Sequence, residues 1–522
     1  MKDLSNSTIE AARAALDSGQ TTAPQLTQAF LDRIEKIDRT GLALNSVRQV
    51  NPDALAIAGK IDAGKRKTPR PLEGVPILLK DNIATGDKQN TTAGSLALAD
   101  AKARRDATVT RLLRDAGAVI LGKANLTEFA NILTVGMPSG YSSLGGQVKN
   151  AHVPDLFRDN IPVVQPGGSS AGSGVAVAAG LAVAAIGTET SGSLLSPANQ
   201  SGVVTVKPTV GLVSRAGILP ISHSQDTAGP MTRTVRDAAI LLNVLAQPDP
   251  VDPATAKLKR PADYTADLRS DGAKGMRIGV PSDPDDPAND IYYGPLNKRA
   301  RRVMDQAIEA LADLGAVIVR ASMPTRGWIG APGTDMAVLV TNPESPVRHT
   351  VQRVSTVFVY ELKHDINEYL TEWLRGTRMR GIDDIIAFNE ANAERCLRFG
   401  QDIFRAASFT KGDLSEPEYK SARRLDLQTA GRMGMDAYMD GHKLDAVLFP
   451  GQAGAGIAAK PGYPSVLVPA GFTAGVGNTA TPDYPLGATF AGRAWNEAKL
   501  LRIAYAFEQA TQARRVPPGC EG

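Results

Sequence analysis

The sequence predicts an α/β protein, a sheet whose strands are covered on both faces by helices. Two observations carry this. From residue 106 onward, amphipathic stretches alternate with short apolar ones, the pattern of strands buried between helices. The apolar stretches are near-continuous runs such as Ala118-Val119-Ile120-Leu121-Gly122 and Leu444-Asp445-Ala446-Val447-Leu448-Phe449-Pro450, and not the strict apolar/polar alternation of a half-exposed sheet.

Taken in order, residues 1 to 65 read as packing helices. Ser7-Thr8-Ile9-Glu10 and Thr22-Ala23-Pro24-Gln25 have the capping-box pattern, the second with proline in its first turn, and Leu26, Phe30, Ile34 and Ile37 recur at helical spacing. Gly74 to Asn82, GVPILLKDN, is a strand-like run that ends on Lys80, an unusual residue for a buried strand. A helix is expected near 107–116, strands at 276–280 and 316–319 with a helix at 296–313 between them, and loops at 245–275 and 282–295. From 325 to 440 the chain reads as a helical cap or insertion (357–373, 382–407, 416–441). Strand character returns at 444–450 and 465–469, and 497–514 reads as a closing helix.

With 522 residues the chain exceeds the roughly 250 to 300 at which one core usually stops growing, so a large domain with an insertion, or two domains, is expected. Hydrophobic residues at 43% and charged residues at 21% exclude a disordered, collagenous or coiled-coil protein. Lys plus Arg exceed Asp plus Glu by only 58 to 54, too little to demand nucleic acid or an anionic membrane. A small-molecule partner is the expectation. Two cysteines, Cys396 and Cys520, imply neither a disulfide framework nor a cysteine zinc site, which fits a reducing cytoplasm. The N-terminal stretch is amphipathic and acidic, unlike a secretory signal, and the longest apolar run, 175–186, falls short of the roughly 20 residues of a membrane span.

The chemistry concentrates in Gln165 to Ala198. Two Gly/Ser-dense turns, Gly167 to Gly174 and Gly187 to Ser193, flank an apolar spacer, so hydroxyls and backbone N–H groups can converge. A serine hydroxyl is inert until a base takes its proton and donors await the oxyanion. The turn around Ser193 could supply those donors from consecutive N–H groups. The histidines, His152, His223, His349, His364 and His442, lie beside neither turn, which weakens a Ser-His-Asp reading without closing it. Lysine can replace histidine where burial lowers its pKa, and Lys80 is the one lysine whose setting suggests this. Other candidates have plainer readings. Asp226 either positions the site or caps a loop; His223 is structural; Arg233, Arg236 and Asp237 form ion pairs at a helix start; Cys396 is a buried small hydrophobe. Val357, Phe358, Tyr360, Leu362 and Tyr369 line a funnel or fill the core. A phosphate-binding loop is disfavoured, because neither turn ends in Gly-Lys-Ser/Thr.

These residues resemble the amidase signature family, whose hallmark turns GGSS(A/G)GS and GT(D/E)T-x-GS stand here at 167–173 and 187–193. The resemblance extends over GVPILLKDNI at 74–83, TTAGSLAL at 91–98, LGKANLTEFAN at 121–131, residues 206–239 and YPLGATFAGRAWNEAKLL at 484–501. GTET, ISHSQDTAGPM and VYELKHDINEYL look most like bacterial peptide-amidase-type members. The resemblance implies a large mixed sheet with helices on both faces, in one domain carrying the helical insertion at 325–440. It implies a Ser-cisSer-Lys triad of Ser193, Ser169 and Lys80, a cis peptide between Gly168 and Ser169, and an oxyanion hole of the Thr190, Ser191, Gly192 and Ser193 N–H groups. Hydrolysis of neutral small amides or peptide C-terminal amides through an acyl-enzyme follows, with no cofactor, no metal, and a monomer or homodimer. The alternatives are a glutamine-hydrolysing subunit of a tRNA-dependent amidotransferase, and a carbamate or ester hydrolase with the same triad. The chain departs from the family at Ser191, where many members carry Gly, and at Leu194-Leu195-Ser196, where many carry Arg. Without that fixed cation, a small carboxylate-bearing substrate is disfavoured. It departs again at Phe449-Pro450-Gly451-Gln452, where the family usually has Pro-Thr.

Overall fold

The computed structural model describes residues 4–64, 68–282, 285, 290–323, 337–342, 350–473 and 483–522. The expected α/β architecture is present, with a large mixed sheet and helices on both faces. Eleven strands make the sheet: β1 (Val47–Val50), β2 (Pro76–Lys80), β3 (Val119–Ala124), β4 (Ala184–Glu189), β5 (Val204–Lys207), β6 (Thr227–Thr232), β7 (Arg277–Val280), β8 (Val317–Arg320), β9 (Ala446–Pro450), β10 (Ser465–Phe472) and β11 (Pro485–Ala491). Their spatial order is β1-β3-β2-β4-β6-β5-β10-β11-β9-β7-β8. Parallel pairing is confined to β3-β2-β4 and β9-β7-β8. The strands between these groups, and β1 at the edge, run antiparallel.

The register sets the site. Leu79 of β2 lies opposite Ile186 of β4, so Lys80 ends its strand level with the start of Gly187-Thr188, at the carboxyl ends of two parallel neighbours. That edge of a parallel sheet is where ligands commonly bind. All five residues of β2 and all six of β4 are buried, including the polar Lys80, Thr188 and Glu189 at their carboxyl ends.

Several elements differ from the sequence reading. The segment 1–65 contains β1 as well as helices, because Val47 to Val50 closes the sheet edge against β3. Thr8, rather than Ser7, caps the first helix, accepting the Ala11 N–H. The capping box at Thr22 forms as expected, with Gln25 returning to the Thr22 N–H. Within 325–440, an antiparallel ribbon of residues 337–342 and 350–355 precedes the long helix Thr356–Trp373. The other described residues of that segment are helical except for the short strand Leu374–Arg375 with the stretch 376–381 after it, a break at 392, and the loops 397–401 and 409–416; part of the segment, and His349, lie outside the described residues. Val357, Leu362 and Tyr369 are buried and Phe358 and Tyr360 pack against the core. Among the described residues, no helix is long and apolar enough to cross a membrane.

Candidate active site

The two Gly/Ser turns and the end of β2 meet in one buried cluster. Lys80 is fully buried, and its Nζ donates to Ser169 Oγ at 2.7 Å, to Thr188 Oγ1 at 2.8 Å and to the Thr188 carbonyl at 3.3 Å. The peptide between Gly168 and Ser169 is cis, as the resemblance implies. Gly168 has no room for a side chain: a Cβ there would stand 2.6 Å from Thr127 Oγ1. At Gly187 a Cβ would meet Ser170 Oγ at 2.8 Å, so the second turn can approach the first only without a side chain.

The two turns are tied by groups that motif reasoning does not single out. The Ser170 N–H donates to the Ser193 carbonyl at 3.1 Å. Ser170 Oγ donates to the Thr188 carbonyl and accepts the Thr188 N–H. Glu189 ends β4 and folds the chain after it, for its Oε2 accepts the N–H groups of Leu194 and Leu195 at 2.7 and 3.0 Å. This aligns the helix Leu195–Ser201 behind Ser193. An acidic residue amid Gly, Thr and Ser was the available signal for Glu189.

Ser193 is 8% exposed, at the surface of an otherwise closed cluster. Among the described residues, no hydrogen bond is recorded to the N–H groups of Thr190, Ser191, Gly192 or Ser193. Gly192 is in the left-handed region, and its carbonyl accepts the Ser196 N–H. Donors with no internal partner beside a hydroxyl can stabilise a developing oxyanion.

Burial is the dominant influence on Lys80, lowering its pKa from 10.5 to about 7, against the opposing fields of Asp226 and Glu189. Lys123 and Lys207 are buried as deeply and are lowered to about 8 by the same cause. They are distinguished by their partners: Lys123 donates to the Ile83 carbonyl and Thr91, and Lys207 to the Tyr463 carbonyl, whereas Lys80 alone of the three meets a serine of the Gly/Ser turns.

Both readings of Asp226 hold. Its Oδ1 accepts the Thr190 hydroxyl, and its Oδ2 accepts the N–H groups of Ile221 and Ser222. The residue keeps a part-exposed edge, but its carboxyl group is enclosed, and this burial raises it to about 6 despite those hydrogen bonds. The loop it caps reaches the helix Thr356–Trp373. His223 Nδ1 lies 2.9 Å from Asp365 Oδ1, and Glu361 accepts from Ser222 Oγ, from the Ser224 N–H and hydroxyl, and from the Tyr419 hydroxyl. His223 is therefore a structural latch, partly exposed, and its pKa is raised by Asp365 and Glu361 against the opposing effect of burial. At the helix start expected to form ion pairs, Arg233 acts electrostatically on Asp237. Arg236 faces Glu10 at 3.7 Å, whereas Arg233 is buried and donates to the carbonyls of Ser7, Ala182 and Val183, and Asp237 accepts the Ile9 N–H. Cys396 is buried, as expected.

The fold, together with the proteins this chain is similar to, defines a hydrolase of carbon–nitrogen bonds. Residues 25–501 match the amidase family, and the chain belongs to it. The structure superposes on the native peptide amidase of Stenotrophomonas maltophilia with a TM-score of 0.83 and 40% identity, covering 98% of each chain. A probable amidase of Arabidopsis thaliana is 36% identical over 98% of this chain and 92% of its own length. A glutamyl-tRNA(Gln) amidotransferase subunit of Chloroflexus aurantiacus is 32% identical over 98% of both chains.

Proposed function

We propose that the chain is a stand-alone cytoplasmic serine amidase, one domain with residues 325–440 as its cap, acting on neutral carboxamides that include the C-terminal amides of short peptides. The observation that carries the reading is the 2.7 Å contact between the buried Lys80 amine and Ser169 Oγ. In its neutral form Lys80 accepts the Ser169 proton as Ser169 takes that of Ser193. Ser193 Oγ then bonds to the amide carbon, and the N–H groups of Thr190, Ser191, Gly192 and Ser193 hold the negative oxygen. The C–N bond breaks as Ser169 delivers a proton to the leaving amine. Water then attacks the acyl-enzyme by the reverse relay, regenerating Ser193 and releasing the acid.

The similarity to a peptide amidase along the whole chain supports the substrate class, as does Leu194-Leu195-Ser196 in place of a cation that would hold a carboxylate. The similarity to an amidotransferase component keeps a glutaminase reading in play, and attack on a carbamate or ester needs the same geometry. Ammonia release by the purified single chain separates them. The expected result is hydrolysis of Nα-acylated amino-acid amides with no second protein. Glutaminase activity that depends on added protein chains, with no activity on those amides, would overturn the proposal.

The pH profile is a second expectation. Because the working form of Lys80 is neutral and its pKa lies near 7, kcat/KM should climb about tenfold per pH unit below that value and level off about one unit above it. A flat profile between about pH 6 and 9, with chemistry rate-limiting, would remove Lys80 as the base.

A further inference from the structure

A cavity of about 230 Å³ borders the catalytic turns, and its chemistry is one-sided. Asn82, Thr188, Thr190 and Asp226 form the wall shared with the site. The helix Thr356–Trp373 adds Glu368, Tyr369, Glu372 and Trp373 to the lining.

The inner wall contains an unmet acceptor. Asn82 is 1% exposed; its Nδ2 donates to Thr188 Oγ1 and to the Leu219 carbonyl, while its Oδ1 is buried without a hydrogen-bond partner. A buried acceptor of this kind calls for an N–H donor. The helix adds negative charge. Among the described residues, the exposed Glu368 has only His364 as an ion-pair partner, at 3.5 Å, and the exposed Glu372 makes no ion pair. The cationic side chains that line the cavity are committed elsewhere. Arg215 lines the cavity, but its guanidinium is taken by both Asp252 oxygens and the His223 carbonyl; His223 itself is held by Asp365. Tyr369 and Trp373 stack with centroids 6.4 Å apart and planes 11° from parallel, a flat apolar wall beside the carboxylates. The Trp373 ring already carries a cation, the Arg105 guanidinium 3.9 Å from its centroid.

We propose that this cavity receives the cationic end of the amide substrate, a basic side chain or a free amino terminus, while its carboxamide lies at Ser193. The proposal rests on the amidase reading above and narrows it from neutral carboxamides in general to peptide amides that carry a positive charge beyond the scissile amide. The aliphatic stem lies along Tyr369 and Trp373, and the N–H groups meet Asn82 Oδ1 or the Glu368 and Glu372 carboxylates according to length.

The test compares matched amides differing only in that charge: Nα-acetyl-lysinamide with Nα-acetyl-norleucinamide, and the same pair lengthened by one alanine before the amide. The expected result is a kcat/KM advantage of about three- to tenfold for the lysyl member of at least one pair, expressed in KM rather than kcat, as part-exposed charge contacts allow. That advantage should shrink in about 0.5 M salt and fall towards unity in the Glu368→Gln/Glu372→Gln double variant. Asn82→Ala should lower it as well. Equal kcat/KM for both members of both pairs, or an advantage that survives the double variant, would overturn the proposal and leave the amidase reading standing. If the enzyme hydrolyses none of these amides, the amidase reading fails and this proposal fails with it.

Discussion

Ser193→Ala should reduce amide turnover by about 10³-fold or more and leave the folded protein intact, with a Tm within about 2 °C of the parent. The asymmetry follows from how Ser193 is held. Its fixed attachment to the rest of the molecule is its carbonyl, which accepts the Ser170 N–H, and alanine keeps that. Its side chain sits at the surface of the cluster, so removing Oγ opens no sealed void. In the proposed mechanism, however, the variant has lost the hydroxyl that attacks the amide. The residue of activity would come from the N–H groups of residues 190–193 acting on bound substrate, which alone are worth far less than the relay. Steady-state rates with an active-site-independent concentration measurement, alongside thermal unfolding, decide it. More than about one per cent of parental activity would remove Ser193 as nucleophile.

The parts of the site that were legible in the sequence are those whose chemistry conflicts with their surroundings. Lys80 ending an apolar strand and two turns without bulk are local anomalies, and the structure brings Lys80 and Ser169 into contact. What stayed hidden depends on registers and loops that no local pattern specifies. Lys123 and Lys207 are buried as completely as Lys80, yet their runs carry no accompanying Gly/Ser turn, so burial alone could not have ranked the three. Asn82 and Thr188 matter because β2 and β4 are parallel neighbours in one register, a long-range fact. The ribbon of residues 337–342 and 350–355 follows from pairing between two short segments, which helix-like composition on its C-terminal side obscures. The alternation of apolar runs and amphipathic helices identified α/β, and the family resemblance added that the sheet is mixed, but the split into parallel and antiparallel groups was not legible.

The loop 221–226 adds a link that sequence spacing conceals. Asp226 and Gln225 grip Thr190 at one end, while Ser222, His223 and Ser224 grip Glu361 and Asp365 at the other. The second turn of the site is thus held against the long helix that walls the cavity. The face of that helix proposed to meet substrate and the turn at 190–193 proposed to hold the oxyanion are therefore parts of one hydrogen-bonded unit, so a shift in the helix would be felt at Thr190.

Lys80→Met should abolish turnover and, unlike most changes to a buried residue, make the protein more stable near pH 7. Transferring this ammonium into the core is unfavourable enough to move its pKa from 10.5 to about 7, which at 1.36 kcal/mol per pH unit is on the order of 5 kcal/mol of destabilisation carried by the folded state below pH 7. Methionine has similar length and no charge, so it fills the same space without that term. Part of the gain is lost because Ser169 Oγ forfeits a donor, whereas Thr188 Oγ1 keeps the Asn82 amide, leaving an expected net stabilisation of about 1 to 3 kcal/mol. The sign also depends on pH. Between about 7 and 10.5 the unfolded chain holds a proton on this lysine that the folded protein does not, so the parent gains stability as pH rises through that window, and below it the full penalty applies. The variant lacks this dependence. Denaturant unfolding at about pH 7 and pH 9.5 should therefore show the Lys80→Met advantage largest at the lower pH and shrinking at the higher. An advantage that is absent at pH 7, or that grows with pH, would mean that the buried amine is not held neutral by its surroundings, and the lysine-base mechanism would lose its physical foundation.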